Sequence, residues 1–287
     1  MSNSKLFNSV ILSCFFISFA SCTSPTTRKC SAQQARALLL FKESLFSIND
    51  TSSRRICEDS FPPDPKLMNW NINSDCCNWG GVTCENSTGD IIYLHLRCGM
   101  LQGTIHANST LFSLQSLEEL DLSKNNFTGQ IPSEISHLTK LSFLDLSYNS
   151  GIDLPPYILN NLLLNSTLLT YLWLAEVNLG FVLPTYLNIS SSLKSLDLTS
   201  TGLQGKVPDN IFNLKYLEEL ILPGNSNLTG PMPIVNTSTS INLRWLDLSF
   251  TNLSGRDSFS IGISSLAIPE FSQIVVDGIP TGIHGQP

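Results

Sequence analysis

Charge is scarce in this chain of 287 residues, and positive charge scarcest: 16 Lys and Arg stand against 23 Asp and Glu, for a formal net charge of -7 and a pI near 5.0. That balance excludes nucleic acid or an anionic membrane surface as the expected partner. Charged residues make up only 14% of the chain, against about 25% in an ordinary soluble domain, so another solvating group is expected on the surface. A long apolar run is also lacking. Residues 10–20, VILSCFFISFA, are the one marked stretch, far short of the roughly 20 residues that span a bilayer. Lys5 precedes that stretch and small residues follow it, so 1–22 reads as a secretory signal peptide and no membrane segment is expected in this chain. Chemistry is missing as well. His95, His106, His137 and His284 lie in separate segments, and there is no H-E-x-x-H, G-x-S-x-G, P-loop or kinase signature. The acidic pairs Glu118-Glu119 and Glu218-Glu219 fall at one offset of a repeat, which accounts for them without catalysis. The expectation is a protein that is not an enzyme, with no cofactor and no metal site.

What the chain has instead is a repeat. Residues 117–140, LEELDLSKNNFTGQIPSEISHLTK, set Leu117, Leu120, Leu122, Asn125, Phe127, Gly129, Ile131 and Pro132 at offsets that recur from Leu193 as Leu196, Leu198, Leu203, Gly205, Val207 and Pro208. Starts at 117 and 141, and at 169, 193 and 217, lie 24 residues apart. On a strand, Leu120 and Leu122 face one way into a core while Glu119, Asp121 and Ser123 face out. One such strand cannot bury its apolar side alone, so the units must stack, each on the next, as a solenoid. Asn125, Asn149 and Asn225, eight residues after their starts, fall where the chain leaves the strand, and a buried amide there can pair backbone groups orphaned by the turn. Phe127, Leu179, Leu203 and Leu253 then turn inward, and Gly before Ile-Pro or Val-Pro marks the bend to the far side. Period and pattern resemble a leucine-rich repeat of the plant extracellular subtype. The resemblance implies an α/β solenoid, a curved superhelix. Starts at Ile91, Leu117, Leu141, Leu169, Leu193, Leu217 and Leu243 give about seven repeats over 91–255, the last incomplete, because Asp257-Ser258 stands where Ile-Pro is due.

The solvating group has candidates in the Asn-x-Ser/Thr sites at Asn49, Asn86, Asn108, Asn126, Asn165, Asn188, Asn227, Asn236 and Asn252. In an exported chain these predict substantial glycosylation. Cysteine usage points to the same compartment. Cys14 lies in the leader and Cys22 at its edge, which leaves Cys30, Cys57, Cys76, Cys77, Cys84 and Cys98. Adjacent Cys76 and Cys77 serve one tetrahedral zinc ion poorly, so disulfides are the better reading.

Residues 23–90 form a separate N-terminal cap. Ser31 with Gln34 makes a capping box before a helix from Ala32 to about Leu45, and Ala35, Leu38, Leu39, Lys42 and Leu45 give it one largely apolar stripe to lay over the open first strand. ALLLFK at 37–42 followed by DCCNWGGVTC at 75–84 closely resembles the plant leucine-rich-repeat N-terminal domain. That resemblance implies Cys30–Cys76 and Cys77–Cys84 bridges and leaves Cys57 and Cys98 over, as candidates for a third pair. The opening repeat, YLHLRCGMLQGTIHANSTLFSL, is similar to that of plant receptor-like proteins, cell-surface receptors without a kinase. In that family many more repeats, an acidic juxtamembrane segment, one membrane helix and a short tail follow. Residues 256–287 show no repeat frame and no Cys-bearing cap, and read as a disordered or truncated tail, with a short secreted form as the other reading.

Function is expected on the outward strand positions, which stacking aligns into columns on the concave face. Departures from the Leu-Asp-Leu consensus mark the candidates: Trp173 and Ile221 replace Asp, and Tyr171, Phe143, Trp245 and Glu119 stand in the neighbouring column. The family resemblance implies an extracellular module that senses a peptide, glycan or protein and signals at the plasma membrane through partner receptor kinases, in defence or development. The alternative is a secreted enzyme inhibitor similar to the polygalacturonase-inhibiting proteins.

Overall fold

The computed structural model of the chain describes residues 28–46, 57, 66–183, 192–231, 242–254, 273–276 and 279–281. The signal peptide at 1–22 and the sequon residues Asn49, Asn188 and Asn236 lie outside the described residues.

Each repeat contributes a short strand, and the strands stack in parallel in the order Ile91–His95, Glu119–Asp121, Phe143–Asp145, Tyr171–Trp173, Ser195–Asp197, Glu219–Ile221, Trp245–Asp247. Register does not slip: Leu94, Leu120, Leu144, Leu172, Leu196, Leu220 and Leu246 stand opposite one another across the whole series. All are buried, as are the leucines two residues on, because a slip of one residue would turn every leucine out to solvent. The molecule is a leucine-rich-repeat solenoid. Short second strands line one flank, Gln102–Gly103, Asn126–Gln130 and Gly151–Asp153 in one group and Thr229–Pro231 with Asn252–Ser254 in another. The far side is closed by 3-10 turns at Thr110–Ser113, Ser133–His137 and Asp209–Asn213.

Two internal ladders hold the units in line. In the first, the Asn125 amide donates to Leu96 O and Leu122 O and its Oδ1 accepts from Leu101 N-H. Asn149 donates to Leu122 O and Leu146 O and accepts from Phe127 N-H, and Asn225 donates to Leu198 O and Leu222 O. Each amide satisfies carbonyls of its own repeat and the one before, groups that would cost about 1–3 kcal/mol each if buried unpaired. The second ladder is made by the backbone. Cys98, Lys124, Tyr148, Glu176, Ser200, Gly224 and Phe250, seven residues after their starts, all have positive φ, between 52° and 75°. The first six donate their N-H to the carbonyls of Ser123, Ser147, Ala175, Thr199, Pro223 and Ser249 in the next repeat.

The helix Ala32–Leu45 covers the N-terminal end, burying Ala35, Leu38, Phe41 and Leu45. Ser31 Oγ accepts from Gln34 N-H as a cap should. Gln34 does not close the expected capping box. Its side chain instead donates to Asp90 Oδ1 and accepts from Ile91 N-H, tying the helix to the first repeat. Cys30 is bonded to Cys76, Cys57 to Cys98 and Cys77 to Cys84, and the rings of Trp70 and Trp79 stack at 5.3 Å. The strand Val82–Cys84 pairs antiparallel with Ile91–His95 and ends the sheet on this side.

Two elements depart from the regular pattern. Between Phe143–Asp145 and Tyr171–Trp173 the turn lengthens into a true helix, Pro156–Asn165. In the expected tail, Gln273–Val276 pairs parallel with Trp245–Asp247, and Ile279–Thr281 returns antiparallel beside it. Part of the stretch read as a tail is thus strand: Phe271, Ile274 and Val276 keep the Leu-x-x-Leu-x-Leu spacing in the sequence, and Ile274 stands opposite Leu246, while the rest of 256–287 lies outside the described residues. The broken Gly-x-Ile-Pro signal ahead of it hides the strand from the consensus.

Candidate functional site

The concave sheet presents two outward residues per strand, and at its centre three of them are aromatic. Phe143 lies opposite Tyr171 in register, and Trp173 lies between Asp145 and Asp197. The three rings form one cluster, with centroids 5.1 Å apart for Phe143 and Trp173, 6.1 Å for Phe143 and Tyr171, and 6.3 Å for Tyr171 and Trp173. Both contacts of Trp173 are edge-on, the geometry that ring quadrupoles favour. Tyr171 is 38% exposed, and Phe143 and Trp173 are half-buried.

Polar groups fix this cluster. Trp173 Nε1-H donates to Ser195 Oγ at 3.0 Å, and Ser195 Oγ-H donates to Glu219 Oε2 at 2.7 Å. Ser195 stands at an outward position and is yet only 1% exposed, because the neighbouring side chains close over it. Asp145 is 2% exposed and its Oδ1 accepts from Ser147 N-H. Burial pushes the Asp145 carboxyl above its usual range, against the lowering effect of the Ser147 bonds. Asp197 is raised first by burial, then by the Asp247 and Glu219 charges, with its Thr199 bonds opposing.

Of the sequence candidates, the structure brings Phe143, Tyr171 and Trp173 together. Glu119 stands on the next strand, opposite Phe143, and is engaged by His95, whose Nε2 lies 2.9 Å from Glu119 Oε2. Ile221 and Trp245 are separate from the rings, beyond the strand of Ser195 and Asp197. Ser195 and Glu219 were missed as members of the site. Each occupies an ordinary repeat position, and only the register between repeats joins them to Trp173.

The flanks and far side carry the described sequons. Asn86, Asn108, Asn165, Asn227 and Asn252 are exposed and Asn126 is half-buried, and none is on a concave strand. Cys30, Cys77 and Cys84 bring their sulfurs close enough to suggest a metal ligand set, but each is spent in a disulfide and offers no thiolate. Among the described residues no helix is long and apolar enough to cross a membrane.

Comparison with known proteins agrees with this architecture. The family profile described as "Leucine rich repeat N-terminal domain" matches residues 31–54 and 58–85, and profiles described as "Leucine rich repeat" match 93–150, 192–214 and 242–263. Receptor-like protein Cf-9 of Solanum pimpinellifolium is 37% identical over 257 residues, covering 79% of this chain and 29% of its own length. Among solved structures, that of a plant ice-binding protein superposes with a TM-score of 0.59 at 28% identity, over 79% of this chain and 66% of that one. The PEPR1–AtPEP1 complex gives 0.56 at 28% identity, over 78% of this chain and 29% of that one. The chain thus spans under a third of the receptor-like relative it matches. By its N-terminal domain, its repeats and that relative, the chain belongs to the leucine-rich-repeat proteins and, within them, is related to the plant receptor-like proteins.

Proposed function

We propose that this chain is a non-enzymatic extracellular recognition module that binds a peptide, glycan or protein on its concave sheet around Phe143, Tyr171 and Trp173. The observation that carries the reading is the aromatic cluster itself: three rings in mutual contact, both Trp173 contacts T-shaped, at positions where the repeat needs none. Exposed aromatics cost solubility, and rigid rings of this kind are the usual anchors of binding surfaces. Glycans on the described sequons would leave this sheet open, since none of those asparagines sits on a concave strand. The related receptor-like protein supports a receptor role; a place at the cell surface, with receptor kinases as partners in signalling, belongs to the same proposal.

The test is a pull-down of peptides and proteins from plant extracellular fluid with the immobilised chain, against a Tyr171→Ala/Trp173→Ala variant. Retention should fall by more than tenfold, on the order of 2 kcal/mol per anchoring ring, while stability in urea falls by less than it does on truncating the fully buried Leu172. Leu172→Ala is the control for folding: it empties a fully buried site on the same strand and should cost about 2–5 kcal/mol. Equal retention by the aromatic variant would end the concave-site reading, and inhibition of a polygalacturonase by the purified chain would favour the secreted-inhibitor function instead.

A further inference from the structure

The outward positions of the concave strands from Ile91–His95 to Trp245–Asp247 hold six carboxylates, Glu119, Asp121, Asp145, Asp197, Glu219 and Asp247, and neither lysine nor arginine. The only residue there that can carry a positive charge, His95, is engaged by Glu119. Of the basic residues beside the strands, Lys194 pairs with Glu218 at 3.6 Å, Lys124 lies over the Tyr148 ring at 5.3 Å, and Arg97, two residues past His95, has its charge within reach of Tyr148. The strand positions of the face that carries the aromatic cluster thus hold an excess of negative charge.

Two of those carboxylates stand next to the rings. Asp197 is opposite Trp173, and Glu219 is opposite Ser195, which bridges it to the Trp173 indole. Glu219 uses Oε2 in that bridge and Asp197 Oδ1 accepts from both Thr199 N-H and Thr199 Oγ-H, and no hydrogen bond of Glu219 Oε1 or Asp197 Oδ2 is found among the described residues. The mutual repulsion of Asp197, Glu219 and Asp247 is relieved by a cation set among them. Apolar residues alternate with these carboxylates: Ile221 lies between Asp197 and Asp247, and Trp245 lies opposite Glu219. Rings, carboxylates and apolar residues thus fall within three strand spacings, about 14 Å, the reach of about four residues of extended peptide.

We propose that this platform takes an arginine or lysine side chain of an extracellular peptide, its stem along the Tyr171 and Trp173 rings and its charge between Asp197 and Glu219, with an apolar neighbour toward Ile221 and Trp245. Cation–π attraction and charge-assisted hydrogen bonds act on one group here, and the Ser195 bridge holds ring and carboxylate in place before the ligand arrives. The inference rests on the concave-face reading above and adds the chemistry of its ligand.

Random 12-residue peptides displayed on phage, selected on the immobilised full chain with its disulfides intact, test it. Clones also retained by Tyr171→Ala/Trp173→Ala are subtracted. The remaining clones should be enriched in Lys and Arg next to apolar residues, and Glu219→Gln or Asp197→Asn should weaken them roughly tenfold, the worth of one charge-assisted contact; Gln and Asn keep the acceptors that serve Ser195 and Thr199. Peptides that depend on the rings but carry no basic residue would overturn the cationic ligand and leave the concave site standing. Failure to recover any ring-dependent peptide would overturn the cationic-peptide inference, leaving the pull-down above to decide whether the face binds something else.

Discussion

The repeat that starts at Leu117 and the one that starts at Leu169 share a strand and differ in what stands behind it. In the first, Asn125 lies under the turn and ties two repeats together through buried carbonyls. In the second, the equivalent residue is Val177, fully buried and without an amide to give; its backbone N-H reaches Leu174 O instead. The turn leading into this second repeat is also the one that became a helix, Pro156–Asn165, and the strand in front carries Tyr171 and Trp173 rather than the consensus pair. Three relaxations of the repeat rules fall in one place. The regular units spend their polar positions on holding register, and the irregular unit leaves this to its neighbours and displays aromatic side chains.

The strongest test of that contrast exchanges the two buried residues. Asn149→Val should lose about 4 kcal/mol in urea denaturation, because Leu122 O, Leu146 O and Phe127 N-H lose a buried partner together. Val177→Asn should also destabilise, by about 1–3 kcal/mol, because its amide enters a fully buried place whose backbone is already satisfied and is left unpaired. A smaller cost at Asn149 than at Val177 would mean that the ladder is a packing pattern and not a polar one.

A smaller effect is expected at Ser166. It occupies the place where sister repeats hold Leu114, Leu138 and Leu214, and its carbonyl receives Leu169 N-H as theirs receive Leu117, Leu141 and Leu217. The Ser166 hydroxyl is buried with no hydrogen-bond partner among the described residues. Ser166→Ala keeps the Asn165 sequon and should stabilise the chain by about 1 kcal/mol, read as a higher midpoint in thermal unfolding. A loss of stability would show that the hydroxyl is satisfied and the irregular repeat is as well packed as the others.

The smallest effect belongs to Asp145. Its folded carboxyl is raised above the ordinary value of 3.8, so the folded state holds the proton more tightly than the unfolded chain. Stability therefore falls as pH rises from about 3.8 through the raised value and is level above it. Asp145→Asn keeps an acceptor for Ser147 N-H and should remove that slope, raising the melting temperature at pH 7 by roughly 1–3 °C. An unchanged slope would place the titration elsewhere.

Much of this was legible in the sequence, because a repeat states its own register. Leucines three and five residues after each start and the asparagine at eight each encode a contact within one repeat or with its neighbour, and the bridges of the cap came from its resemblance to a known N-terminal domain. What escaped were contacts between unlike offsets. Trp173, Ser195 and Glu219 are bound across three strands, and no motif links them. Gln34 follows the capping spacing but finds a better partner at Asp90, which only the packed structure supplies. The strand at Gln273–Val276 kept its apolar spacing while the punctuation before it changed.

The backbone ladder at the seventh offset has a consequence for how such a chain varies. Cys98, Lys124, Tyr148, Glu176, Ser200, Gly224 and Phe250 are seven different residue types in one left-handed conformation, and the bonds the first six make to the next repeat use only their N-H groups. Apart from Cys98, whose sulfur is bonded to Cys57, side-chain identity at this edge is therefore largely decoupled from folding, with a small common strain of about 1 kcal/mol that every residue but glycine bears. Random substitution from Lys124 onward should be tolerated except by proline, which has no N-H to give, and by β-branched residues, which fit the left-handed conformation poorly. Neutral drift can then run through chemically distant residues on this rim while the solenoid beneath it stays the same.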